Sequence, residues 1–253
     1  MATNTINENV EQAILDFGTI KQAIIDKGVE VPSGTHTSQY GAKIGEIQSG
    51  NENFKAVIGR TATTLTLPDG LSKIGNYSFF EYITLTSASI PESVTSIGFN
   101  AFNSCKNLVL ISMPGVTSIG NGAFGSCKKL VITSIPSGVT SIGNDTFSNC
   151  TNLALTSLPS GVTIIMSTAF YKCTNLALTS LPSGITKIEN NAFGYCTSLT
   201  EITFEGKPTS LSSTAFYGCT NLTTIRVPWS EGEVANSPWG ATNATIVYNY
   251  TSQ

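Results

Sequence analysis

Apolar and polar positions along most of this chain follow one motif that returns every 22 or 23 residues. Its fixed point is a Phe, at Phe79, Phe102, Phe124, Phe147, Phe170, Phe193 and Phe216, with gaps of 23, 22, 23, 23, 23 and 23. Around each Phe the same order of side chains is respelled, as in IPSGVTSIGNDTFSNCTNL from Ile135 and LPSGITKIENNAFGYCTSL from Leu181. A period of this length marks stacked modules, each of which buries its apolar face only against its neighbours. The pattern therefore predicts a solenoid.

Equivalent residues of such coils stand at equivalent depths, so the apolar positions read as ladders. The Phe ladder brings the most apolar area, and a small residue precedes each ring (Ser78, Ala101, Ala123, Thr146, Ala169, Ala192, Ala215) where a tight turn approaches the core. Val94 and Ile97, Val116 and Ile119, Val139 and Ile142, and Ile185 and Ile188 sit in β-branched stretches that predict short strands. A third ladder ends in proline, at Pro68, Pro91, Pro114, Pro136, Pro159, Pro182 and Pro228, with Glu205 breaking the series. The missing N–H and fixed φ of proline end a strand and start a turn.

The fourth ladder holds all six cysteines, Cys105, Cys127, Cys150, Cys173, Cys196 and Cys219, each followed three residues later by Leu. No CxxC occurs and the chain has a single His, His36, so the spacing favours buried structural thiols over disulfides or a metal site. No cofactor is expected.

The combination of CxxL-like spacing, I/L-P, VTSIG and AF over about Leu65 to Pro228 resembles the BspA-like leucine-rich repeats. That resemblance implies a curved right-handed solenoid with a short parallel strand in each coil, and a role in surface adhesion or binding. The expected fold is an α/β leucine-rich-repeat solenoid of about seven 22–23-residue coils, with an N-terminal helix and a β-rich C-terminal cap. The expected boundaries are an attachment module at 1–50, the solenoid at 51–228 and the cap at 229–253.

Composition narrows the function. Only 11% of the 253 residues are charged and the net charge is −3, so no basic stripe is available to neutralise phosphates and nucleic-acid binding is not expected. No apolar run reaches the length of a membrane span, so membrane insertion is not expected. The N-terminal sequence lacks a basic region followed by an apolar run, so for a protein that acts outside the cell either a leader lies outside this sequence or exit follows another route, of which release within a phage particle is one.

The two ends carry further signals. Ile6, Val10, Ala13, Phe17, Ile20 and Ile24 follow a heptad seam, with Thr5 and Glu8 as a capping box and Gly28 beyond the end, and predict a helix from about Ile6 to Lys27. The seam, including Val10, Phe17, Ile20 and Ile24, serves either to lie against the first repeat or to self-associate, in which case a homotrimer is the assembly. Residues 20–47 resemble a module near the N-terminus of tail-associated proteins of phages that infect Gram-positive bacteria, and 227–251 resemble a C-terminal segment of such tail and baseplate proteins. These resemblances imply location in a virion or outside the cell. Trp229, Trp239, Val247, Tyr248 and Tyr250 suit a cap over the last coil.

Catalytic machinery is thin. A polysaccharide depolymerase needs two carboxylates across a groove, yet Asp145, Glu189, Glu201 and Glu205 do not recur as a pair, and His36 has no neighbouring nucleophile motif. The expectation is a non-catalytic binding protein that recognises a bacterial surface glycan or protein, or another tail protein. A BspA-type adhesin and a purely structural spacer are the alternatives.

Two groups of residues are candidates for binding. After Leu199 and Leu222 the strand points Ile202, Phe204, Ile225 and Val227 inward, but in the middle coils Leu110, Ile132, Leu155 and Leu178 stand where Glu201 and Thr224 stand elsewhere. A one-residue slip turns a side chain to the opposite face. Either a local bulge returns these four to the core, or they form an exposed apolar stripe beside Ser112, Ser134, Ser157 and Ser180. The second group is Phe80, Tyr171, Tyr195 and Tyr217, aromatics just after the Phe ladder, which either contact a ligand or pack on the outer layer.

Overall fold

The structure, a computed structural model, describes residues 60–67 and 71–251. The helix expected from Ile6 to Lys27, with Val10, Phe17, Ile20 and Ile24, lies outside the described residues.

Among the described residues every regular element is a short strand, and the chain winds as a leucine-rich-repeat β-solenoid of about eight turns. The α/β expectation therefore gives way to a β-solenoid over this region, because the segment between one strand and the next coil is too tightly turned to wind a helix. One line of strands precedes the proline turns: β1 (Thr64–Thr66), β3 (Ser87–Ser89), β5 (Leu110–Ser112), β9 (Ser180–Leu181), β11 (Glu201–Phe204), β13 (Thr224–Arg226) and β14 (Thr245–Val247). A second line follows them: β2 (Lys73–Ile74), β4 (Ser96–Ile97), β6 (Ser118–Ile119), β7 (Ser141–Ile142), β8 (Ile164–Ile165), β10 (Lys187–Ile188) and β12 (Ser210–Leu211). Pairing is parallel throughout. The first line forms β1-β3-β5 and β14-β13-β11-β9, and the second forms β2-β4-β6 and β12-β10-β8-β7.

The third side of each coil is an edge of tight turns centred on the Phe. Two residues before Phe79, Phe102, Phe147, Phe170 and Phe193, and two residues after Phe79, Phe102, Phe124, Phe147, Phe170 and Phe193, the backbone takes φ between 51° and 62°. These paired left-handed reversals fold the chain round each ring. The edge is also bonded from coil to coil, as in Phe79 N–H to Ala101 O at 2.7 Å and Phe147 N–H to Ala169 O at 2.9 Å.

Inside, the seven Phe rings form a continuous stack, with neighbouring centroids 5.0 to 5.6 Å apart and planes within 17°. The six cysteines are free and buried beside it. The C-terminal segment caps the core by adding a further coil rather than a separate sheet. Phe216 N–H donates to Trp239 O at 2.9 Å, β14 continues the ladder of β13 with Ile225 opposite Ile246, and the buried Trp229 and Trp239 rings meet at 6.2 Å. That coil raises the number of turns above the expected seven.

Candidate binding edge

The apolar stripe does not form. Ile132, Leu155 and Leu178 are buried, and of the four shifted residues only Leu110 is exposed, at 60%. In the outer coils the residues three and five places after the ladder Leu point inward, as Ile202 and Phe204 do after Leu199, and this two-residue alternation makes a strand. In the coils of Leu130 and Leu153 the residue two places on turns inward, so two exposed residues follow in succession, Thr133 with Ser134 and Thr156 with Ser157. That breaks the alternation, and residues 131–135 and 154–158 carry no strand. The slip is thus a bulge that serves packing, and it leaves a gap in the first line of strands between β5 and β9.

The turn edge brings the second group together. Tyr171, Tyr195 and Tyr217 come from three successive coils and meet edge to face, at 5.4 Å between the first two rings and 5.5 Å between the last two. Lys172 Nζ lies 5.3 Å from the centre of the Tyr171 ring and 5.8 Å from that of Tyr195, in cation–π range. Glycines in the next coil make room for the rings. A Cβ on Gly194 would meet Tyr171 Cδ2 at 2.9 Å, and one on Gly218 would meet Tyr195 Cδ1 at 2.7 Å. Tyr171 and Tyr195 are therefore half-buried against backbone, while Tyr217 remains 50% exposed. Hydrogen bonding to Tyr217 and its charge push the Tyr195 phenol above its ordinary value.

Phe80 joins a different group nearer the N-terminal end of the edge. Tyr77 meets Phe80 at 5.6 Å and Phe99 at 5.2 Å, both edge to face, and Tyr77 and Phe99 are exposed. Sequence reasoning misses Tyr77 and Phe99 because both fall before the ladder Phe, outside the place just after it where aromatics replace Ser, Asn or Gly. Between the two aromatic groups lies a groove over the coils of Phe102, Phe124 and Phe147. The edge thus presents rings at two places and polar groups between them.

Three of the four candidate acids, Asp145, Glu189 and Glu201, are engaged with neighbours. Glu189 pairs with Lys187 at 2.6 Å and accepts from Ser167 Oγ at 2.9 Å, and these partners hold its carboxyl below the usual range. Glu201 pairs with Arg226 at 2.7 Å, and Asp145 accepts from Thr168 Oγ1 at 2.6 Å.

The BspA type leucine rich repeat region matches the chain in six copies, over residues 50–177 and 117–239. The chain belongs to this family. Among solved structures it is similar to a leucine rich cell surface protein from Faecalibacterium prausnitzii A2-165, with 26% identity and a TM-score of 0.54 over 74% of this chain and 56% of that one. The chain thus spans little more than half the length of that relative. It is also similar to a leucine rich repeat protein of T. pallidum, with 26% identity and a TM-score of 0.44 over 67% of this chain and 73% of that one. A leucine-rich repeat protein from Bacteroides ovatus shows 23% identity and a TM-score of 0.45 over 74% of this chain and 61% of that one. No curated protein matches the chain.

Proposed function

We propose that the protein is a non-catalytic binding protein that recognises a bacterial surface, or a partner protein, through its turn edge. The observation that carries this reading is the row of Tyr171, Tyr195 and Tyr217, in which three successive coils place phenol rings outside a core that is already closed by the Phe ladder. Rings with an apolar body and a polar tip are the residues that binding surfaces use most. Similarity to a cell surface protein of F. prausnitzii supports display outside the cell. The engagement of Asp145, Glu189 and Glu201 in local pairs supports a role without catalysis.

The particle that displays this edge is a phage tail in our reading, on the resemblance of residues 20–47 and 227–251 to segments of tail-associated proteins. A BspA-type adhesin on a bacterial cell fits the family equally well. In either setting the seam of Val10, Phe17, Ile20 and Ile24 serves either a homotrimer or contact with the first repeat, and light scattering on the intact chain and on one lacking residues 1–50 separates them: a trimer that becomes a monomer supports assembly, and a monomer in both removes it.

Adhesion of labelled intact protein to Gram-positive cells tests the reading. Replacing Tyr171 and Tyr217 together by Ser abolishes adhesion while the chain still unfolds cooperatively well above the assay temperature. Undiminished adhesion of that variant would assign the rings to packing alone, and no adhesion by the parent chain would leave the repeats as a spacer.

A further inference from the structure

The turn around Phe124 differs from those on either side at two positions. Two residues before the Phe and one after it, the preceding coil carries Asn100 and Asn103 and the following coil carries Asp145 and Ser148, but this coil carries Gly122 and Gly125. Both glycines are buried, and Gly122 takes a left-handed φ of 65°. A Cβ on Gly122 would lie 2.1 Å from Asn100 Oδ1, and one on Gly125 would lie 2.6 Å from Asn103 Nδ2. The absent side chains thus leave a dent over which the amides of the coil before it reach. The result is a groove of about 340 Å³ lined by Asn100, Asn103, Asn121, Asn144 and Asp145, with Phe99 at its rim.

We infer that this groove binds a neutral saccharide, an inference that rests on the reading of the edge as a recognition surface. The amide nitrogens of Asn100, Asn121 and Asn144, with the side-chain oxygens of the lining, offer donors and acceptors side by side, the combination that matches adjacent sugar hydroxyls, which both give and accept hydrogen bonds. The side chains of Asn100, Asn103, Asn121 and Asp145 are held in place before any ligand arrives. Asn103 Nδ2 donates to Asn100 Oδ1 at 3.1 Å and to Gly122 O at 3.2 Å, Asn121 Oδ1 accepts the Asn144 N–H at 2.9 Å, and Asp145 accepts from Thr168. Such fixing lowers the cost of ordering side chains on binding. Phe99, 42% exposed at the rim and braced by Tyr77, supplies an apolar ring for the C–H face of a sugar. The only charged residue in the lining is Asp145, which disfavours phosphorylated, sulfated or sialylated glycans. The volume falls at the small end of the range of about 300–1,000 Å³ common to ligand pockets, in keeping with a short saccharide.

The test is an array of neutral hexose and N-acetylhexosamine oligosaccharides, with sialylated glycans alongside, probed with the intact chain. The filling variant Gly122→Asn with Gly125→Asn copies the Asn100 and Asn103 of the coil before it, and Asn tolerates left-handed φ. A second variant, Asn144→Ala, removes one amide and leaves the groove open, so that it decides the matter if the filled variant fails to fold. The expected result is binding to neutral glycans that falls about tenfold or more in each folded variant, a loss of roughly 1.4 kcal/mol. Binding confined to sialylated glycans, undiminished binding by the filled chain, or no neutral glycan bound would overturn the inference. Cell adhesion that survives filling but is lost with Tyr171→Ser and Tyr217→Ser would remove the groove and leave the recognition reading standing. Glycan binding without cell adhesion would do the reverse.

Discussion

The Cys150 thiol donates to the Phe124 carbonyl of the coil before it, at 3.0 Å, while the Cys127 N–H of that earlier coil donates to the same oxygen at 3.1 Å. A thiol from the next coil likewise reaches the carbonyls of Phe79, Phe102, Phe147, Phe170 and Phe193 at 3.0 or 3.1 Å. Each of these buried carbonyls therefore has both lone pairs occupied, one within its own coil and one from the next. The cysteines clip coil to coil without a covalent bond. Replacing Cys150 by Ala removes both volume and donor and lowers stability by about 1–3 kcal/mol in urea unfolding.

Five of these thiols make the fold sensitive to alkali. Burial pushes Cys150 from 9.0 up to about 12 and Cys219 to about 11, and it raises Cys127 and Cys173 and Cys196 as well. With folded values above unfolded ones, the stabilisation is complete below pH 9 and is lost as pH rises towards 12, because only the unfolded chain releases its protons. Thermal unfolding between pH 8 and pH 12 should show a falling midpoint above about pH 9. The Cys150→Ala variant should lose part of that slope.

Leu110 and Leu155 hold the same place in the repeat and opposite places in the structure, 60% and 0% exposed. Leu155→Ala should cost about 2–5 kcal/mol by denaturant titration, as for other buried leucines. Leu110→Ala should stay within about 0.5 kcal/mol of the parent chain. Equal losses would contradict the bulge.

Gly218 joins a left-handed backbone, φ 73°, to close contact with the Tyr195 ring. Gly218→Ala adds a Cβ that meets both obstacles, and should lower stability by about 1–2 kcal/mol. Tyrosine ring resonances in an NMR spectrum of the same variant should shift, since Tyr195 has to leave its seat.

Much of the fold was legible in the sequence because the ladder residues are both invariant in spacing and buried. Phe, Cys and Leu at fixed offsets reported depth directly, and the structure stacks them as read. Trp239 stands 23 residues after Phe216, so the extra coil was visible in spacing, but Pro and Gly around it disguise the motif. The binding edge was harder to read. The Tyr row could be found because aromatic residues replace Ser, Asn or Gly at an outward place. The groove could not, since it is made by what Gly122 and Gly125 lack and by amides that reach in from another coil. Whether Ile132, Leu155 and Leu178 turned inward depended on the backbone giving up strand alternation, a balance that side-chain type alone does not decide.

Hydrogen exchange along the intact chain, with and without purified Gram-positive cell wall, tests the central claim most directly because it locates the contact face by backbone protection. The account predicts added protection along the turn edge, at residues 77–81, 99–104, 121–126, 144–149, 168–172, 191–195 and 214–218, with the two strand faces unchanged. Protection on the strand faces instead, or no protection anywhere, would contradict recognition through this edge.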